Sequence, residues 1–153
     1  MTLISTLHPI LNFCKDLDLD HPETCQESLE EHFPFQGEVV QNIVRLCKEG
    51  LADGSLCDRG ELPMKFSRVG KPSDESCQFS IDAVFMSGVG PKHKHPEGEI
   101  DLCIATSGDA KFDGNLSGWT VYGKESVHCP TVTDGEMLIL YFLPQGAFEF
   151  VKD

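Results

Sequence analysis

From Leu62 onward the hydrophobic pattern shortens to strand length and breaks at close intervals, and this confines the larger part of the chain to a multi-stranded β-structure. Phe79, Ile81, Ala83 and Phe85 alternate with Ser80, Asp82, Val84 and Met86. Ile100, Leu102 and Ile104 alternate with Glu99, Asp101 and Cys103. Met137 to Leu143 is an uninterrupted apolar run, the pattern of a strand buried on both faces. Gly, Pro, Asn and Asp clusters separate the runs, and many short strands with regular turns mean a sandwich or barrel.

The first 54 or so residues read differently. Leu3, Leu7, Ile10, Leu11 and Cys14 fall on one helical stripe. Pro22 opens a second stretch in which Cys25, Leu29, His32 and Phe33 line up, ending at Pro34. Val40, Ile43, Val44, Cys47 and Leu51 share a third face, with Gly50 and Gly54 as end signals. The expected division is a helical segment over residues 1–56 that packs on a barrel over residues 57–153. The helical stripes are core or subunit interface, and a homodimer is the expected assembly.

Charge narrows the partners. The net charge is -13, which disfavours nucleic acid and anionic membranes, since both need a basic face. No run approaches the roughly 18 consecutive apolar residues of a membrane span. Met1 to Phe13 lacks a basic leader and a small-residue cleavage site, so it reads as mature protein. Seven scattered cysteines without a CxxC pair fit reduced thiols in the cytoplasm better than a disulfide framework or a zinc knuckle.

The chemistry concentrates in Gly88-Val89-Gly90-Pro91-Lys92-His93-Lys94-His95-Pro96-Glu97-Gly98-Glu99. On a strand, His93 and His95 project to one side and Lys92 and Lys94 to the other. Pro96-Glu97-Gly98 is a short turn, with glycine where a positive φ is needed, and it brings Glu99 back beside His95. Two imidazoles and a carboxylate then converge as a facial metal triad. His128, in a second turn-to-strand context, is the candidate fourth ligand. Three neutral histidines and one carboxylate around a divalent ion leave a net positive site, able to attract an anionic ligand even in an acidic chain. The donor set suits Fe, Mn, Ni, Co or Zn. His8, His21 and His32 belong to the helical part and read as surface or core residues.

The stretch from Gly88 to Gly108 resembles the first cupin motif, with His93, His95 and Glu99 at the motif's spacing. The stretch around His128 resembles the second cupin motif in part. Gly123-Lys124-Glu125 replaces the usual Pro-x-Gly, and Val132 stands where an asparagine is typical. The resemblance implies a mainly β cupin, a double-stranded β-helix or jelly-roll-like barrel, holding one divalent metal ion through His93, His95, Glu99 and His128. His95 to Cys103, Phe112-Asp113-Gly114, Gly118-Trp119 and Met137 to Pro144 together resemble the 4-hydroxylaminobenzoate lyase family.

That family's reaction takes 4-hydroxylaminobenzoate and water to 3,4-dihydroxybenzoate and ammonia, with no oxygen or nicotinamide cofactor consumed. The chain accordingly has neither GxGxxG nor a P-loop. Such chemistry needs help for hydroxide leaving nitrogen, delivery of water to the ring, and a holder for the benzoate carboxylate. Glu99 is a ligand that can also relay a proton. Asp101 shares its strand parity, and Tyr141 in the apolar C-terminal strand can orient substrate or water. Lys65 and Arg68 are the candidates for the carboxylate. Trp119 and Phe85 are candidates to flank the aromatic ring. The alternatives are an iron-dependent cupin dioxygenase on a small aromatic or diketone, and a non-enzymatic metal-binding cupin sensor.

Overall fold

The computed structural model describes residues 2–152, among which three helices precede nine strands. The helices are α1 (Leu3–Cys14), α2 (Pro22–His32) and α3 (Glu38–Asp53). Thr2 caps α1 by accepting from the Ser5 N–H, and Pro22 opens α2, where its missing N–H costs no helical bond. α3 ends at Gly54, whose φ of +83 is the left-handed conformation that stops a helix cheaply. Each expected stripe is buried in large part: Leu7, Ile10, Leu11 and Cys14 on α1, Cys25 and Leu29 on α2, and Val40, Ile43, Val44 and Cys47 on α3. His32 is exposed instead, because α2 turns it away from the core.

The strands are β1 (Arg59–Glu61), β2 (Met64–Gly70), β3 (Phe79–Met86), β4 (His93–His95), β5 (Glu99–Phe112), β6 (Gly118–Tyr122), β7 (Ser126–His128), β8 (Val132–Pro144) and β9 (Glu149–Phe150). They form a six-stranded sheet, β1-β2-β3-β8-β5-β6, and a three-stranded sheet, β7-β4-β9, with antiparallel pairing throughout. This is the mainly β, cupin-type barrel with a helical N-terminal segment.

The large sheet has two buried faces, which is why β8 carries an unbroken apolar run. Ile81, Ala83, Ile100, Leu102, Leu138, Leu140, Phe142 and Trp119 pack outward against the helices. Val84, Met86, Cys103, Phe112, Met137, Ile139 and Tyr141 face inward, toward the small sheet. Trp119 Nε1–H donates to the Phe33 carbonyl at 2.8 Å, and the Val121 N–H donates to Gln26 Oε1 at 3.1 Å. These two bonds tie the edge strand β6 to α2 and its C-terminal cap, and the second covers a backbone donor that an open edge would leave bare.

Register fixes a polar rung on the inner face. Arg68 pairs with Asp82, Asp82 with Tyr141, Tyr141 with Asp101, and Asp101 with Thr120. Directly paired residues share a face, so a line of polar groups crosses five strands on the inner face of the large sheet.

Candidate metal centre

His93 and His95 face one side of β4, as a period of two requires, and both are buried. The chain then turns through Gly98, whose φ is +90. A Cβ on Gly98 would come within 2.7 Å of Leu19 Cδ1 and 3.0 Å of the Tyr122 carbonyl oxygen, so glycine is required for both conformation and space. The turn is not a hairpin. It carries the chain from the small sheet, where β4 pairs with β7 and β9, to the large sheet, where β5 pairs with β6 and β8. Glu99 therefore meets His95 across the barrel interior, not across a strand pair. His128 is the cross-strand partner of His93.

The four residues offer ligand atoms that all lie within 4.8 Å of one another. Glu99 Oε1 is 3.0 Å from His95 Nε2 and 3.8 Å from His93 Nε2, and Glu99 Oε2 is 3.7 Å from His128 Nε2. Each outer ring nitrogen is held from behind. His93 Nδ1 is 3.0 Å from the Pro91 carbonyl, His95 Nδ1 is 3.1 Å from Ser126 Oγ, and His128 Nδ1 is 2.8 Å from Asp113 Oδ2. A carbonyl and a carboxylate can only accept, so Nδ1 carries the proton in His93 and His128. The three Nε2 atoms and Glu99 Oε2 are buried without a hydrogen-bond partner among the described residues. Orphaned donors of this kind, converging on one point, are what a metal ion satisfies, and three imidazoles with one carboxylate suit a transition metal. The cluster can hold one metal ion.

Burial alone would raise the Glu99 pKa, but His128, His93 and His95 outweigh it and hold the carboxyl well below its usual range. Burial likewise opposes charge on His128, yet Asp113 and Glu99 push its pKa up to about 9, so a metal ion must displace a proton there. Asp101 behaves oppositely. Burial, then the neighbouring Glu99 charge, raise it well above the ordinary carboxylate value, and neither of its oxygens has a hydrogen-bond partner among the described residues.

The centre opens into a cavity of about 730 Å³ between the two sheets. His93, Glu99, Tyr141, Phe66 and Phe148 line it, and Arg59, Arg68 and Lys71 bring positive charge to it. The Phe148 ring sits against His93 with centroids 4.8 Å apart. Volume and mixed lining suit a small organic ligand.

A family model described as PnbB, 4-hydroxylaminobenzoate lyase, matches residues 6–150. The chain belongs to the 4-hydroxylaminobenzoate lyase family. It is 28% identical over 158 residues to a 4-hydroxylaminobenzoate lyase of Nocardioides sp. (strain LMS-CY), covering 97% of this chain and 92% of that one. It is 31% identical over 140 residues to a 4-hydroxylaminobenzoate lyase of Pseudomonas putida, covering 80% of each. Membership in this lyase family makes the chain an enzyme and leaves the non-enzymatic sensor without support. Similar solved structures include an oxalate oxidase in complex with the substrate analogue glycolate, at TM-score 0.44 and 16% identity over 60% of this chain and 57% of that one. Another is an RmlC-like cupin protein from Ralstonia eutropha, at TM-score 0.43 and 10% identity over 61% of this chain and 62% of that one.

In this member of the lyase family, Asp101, Tyr141 and Arg68 all point to the inner face, on the rung beside Glu99. Lys65 does not. It pairs with Phe85, which packs against the helical core, so Lys65 faces away from the cavity. Lys65 and Arg68 are three residues apart on one strand and cannot share a face. Trp119 and Phe85 are also on the helix side, and Trp119 packs on Phe142 at a centroid distance of 6.3 Å. Neither lines the cavity, because the register of β6 and β3 turns them outward. Residues given no role from the sequence also lie here: Asp113 behind His128, Asp82 behind Arg68, and Phe66, Phe148 and Arg59 on the cavity wall. His8, His21 and His32 lie exposed in the helical segment, away from the cluster. No described helix is long and apolar enough to cross a membrane.

Proposed function

We infer that this lyase converts 4-hydroxylaminobenzoate and water to 3,4-dihydroxybenzoate and ammonia, using one divalent transition metal ion held by His93, His95, Glu99 and His128. The observation that carries the reading is the meeting of the four-donor centre and an oriented arginine in one cavity, in a chain of the 4-hydroxylaminobenzoate lyase family.

The reaction balances without an external oxidant. The N–O bond, the C–N bond and one ring C–H bond break, the C–H hydrogen leaving as a proton, and two C–O bonds form on the ring. Two waters enter, one leaves with the hydroxylamine oxygen, and the oxidation of the ring is matched by reduction of nitrogen to ammonia. When bound, the metal ion supplies a Lewis acid for an oxygen of substrate or water.

The chain's own residues do the rest. Arg68 is held through Nε by Asp82 Oδ1 at 2.5 Å, and its two terminal nitrogens take the benzoate carboxylate. Phe66 and Phe148 bound the ring from the cavity walls. Glu99 stays ionised as a ligand. Asp101, fully buried beside it, serves the proton transfers that accompany hydroxide loss and water addition. Among the described residues the Tyr141 hydroxyl has only a weak contact with Met86 Sδ, at 3.8 Å, and it is available to orient water.

The test is turnover of 4-hydroxylaminobenzoate by metal-loaded protein under strict anaerobiosis. The expected result is ammonia and 3,4-dihydroxybenzoate in equal amounts. An absolute requirement for oxygen would overturn the reading in favour of a dioxygenase, and absence of turnover in both atmospheres would overturn it outright.

A further inference from the structure

His128 is the ligand with the least support from its own surroundings. β7 has three residues, and His128 ends it. The chain enters it through Gly123-Lys124-Glu125, with Glu125 at φ +67. Yet its Nε2 is aimed at the same point as those of His93 and His95. Something outside β7 must hold the ring.

Asp113 stands where three donors meet. His128 Nδ1–H donates to Oδ2 at 2.8 Å, the Tyr122 hydroxyl donates to the same oxygen, and the Thr131 N–H donates to Oδ1 at 2.8 Å. The Tyr122 ring lies over the imidazole, with centroids 4.2 Å apart and planes 30° from parallel. Asp113 itself is fixed in the turn between β5 and β6 at φ +48, a left-handed conformation that Asp and Asn tolerate better than most residues.

We propose that Asp113 is the positioning residue of the metal centre. Its carboxylate accepts from Nδ1 and so fixes the His128 tautomer whose Nε2 carries the free lone pair, while Tyr122, anchored to the same oxygen, fixes the plane of the ring. His93 and His95 need no such device, since a carbonyl and a hydroxyl on neighbouring chain segments hold them and both rings are buried. The inference rests on the metal-binding reading of the four-residue cluster. A carboxylate behind a ligating imidazole both orients the ring and strengthens the donor nitrogen.

Asp113→Asn separates this role from a merely structural one. Asparagine suits the left-handed turn and can still accept the Thr131 N–H through its carbonyl oxygen. Its amide NH₂ then faces His128 and favours the opposite tautomer, with the proton on Nε2. In competition with a chromophoric chelator, the variant is expected to bind Zn²⁺ and Co²⁺ about 10- to 100-fold more weakly than wild type. The visible spectrum of the Co²⁺ form should change, while circular dichroism without metal keeps the β-rich signature of the folded protein. Binding within twofold of wild type, with an unchanged Co²⁺ spectrum, would overturn the proposal. Wild-type protein provides a check that does not depend on the variant folding. Nitrogen-resolved NMR of the Zn²⁺-loaded protein should show His128 protonated at Nδ1 and coordinated through Nε2; the reverse assignment would overturn the proposal. Wild type that binds neither ion would overturn the metal reading itself, a result distinct from either outcome above.

Discussion

Arg68 donates through Nε to Asp82 Oδ1 at 2.5 Å, and its two terminal nitrogens have no protein partner among the described residues. An arginine tied at Nε and free at its fork is pre-set for a planar carboxylate. Burial pushes the Asp82 pKa up, and the bond from Arg68 opposes that rise. Arg68→Ala is expected to raise KM for 4-hydroxylaminobenzoate about tenfold or more, the worth of a hydrogen bond to a charged group, at ~1.5–3 kcal/mol. kcat should change less. Lys65→Ala, on the opposite face of the same strand, should leave KM within a factor of two. Steady-state kinetics of the two variants decide between them, and equal effects would contradict the face assignment.

Asp101→Asn is nearly isosteric and carries no charge. Because burial and Glu99 already favour the neutral carboxyl, the variant should fold and keep its melting temperature to within a few degrees. Removing a group that transfers a proton should lower kcat by about a hundredfold or more. A variant with full kcat and normal stability would reduce Asp101 to packing.

Trp119→Phe tests which side of the large sheet is which. The substitution removes the donor to the Phe33 carbonyl and leaves that carbonyl short of a partner. The expected cost is ~1–3 kcal/mol in chemical denaturation. KM should not move, since the indole lies on the helix side. A change in KM without a loss of stability would place Trp119 near the substrate.

The buried thiols should be inert. Burial opposes the thiolate and pushes Cys47 and Cys57 up to about 12; for Cys57 the nearby Asp58 adds to the rise and Lys65 opposes it. Cys14 and Cys103 are raised further, also by burial first. The shift is upward, so thiolate appears only as pH approaches those values. At pH 8 a thiol with a pKa of 12 is ionised in about one molecule in ten thousand. Brief iodoacetamide treatment of native protein at that pH should label exposed Cys129 and spare these four, as read by peptide mass spectrometry. Rapid labelling of Cys103 would show that the barrel interior opens.

Much of this architecture was legible in residue order because it depends on local period. The spacing of two between His93 and His95 fixes their common side, the turn at Gly98 needs a residue free to take positive φ, and the run Met137 to Leu143 announces a strand covered on both faces. What escaped depends on register across the sheets. Whether Lys65 or Arg68 faces the cavity is set by the pairing of β2 with β3, and the direction of Trp119 by its pairing with Leu102. Neither pairing is encoded within one strand. Asp113 escaped for a related reason. Asp-Gly reads as an ordinary turn signal, and its partners His128, Tyr122 and Thr131 are 15, 9 and 18 residues away in the chain. The departure of the His128 region from the second cupin motif was the one visible hint that support for this ligand comes from elsewhere.

The most direct test of the account is the metal stoichiometry of purified protein, measured by elemental analysis alongside anaerobic activity. Wild type is expected to carry one transition metal ion per chain and to release ammonia from 4-hydroxylaminobenzoate. His95→Ala and Glu99→Ala should lose both metal and activity, with circular dichroism retaining the β-rich signature. Full metal content and full activity in either variant would contradict the assignment of His93, His95, Glu99 and His128 as the catalytic metal centre.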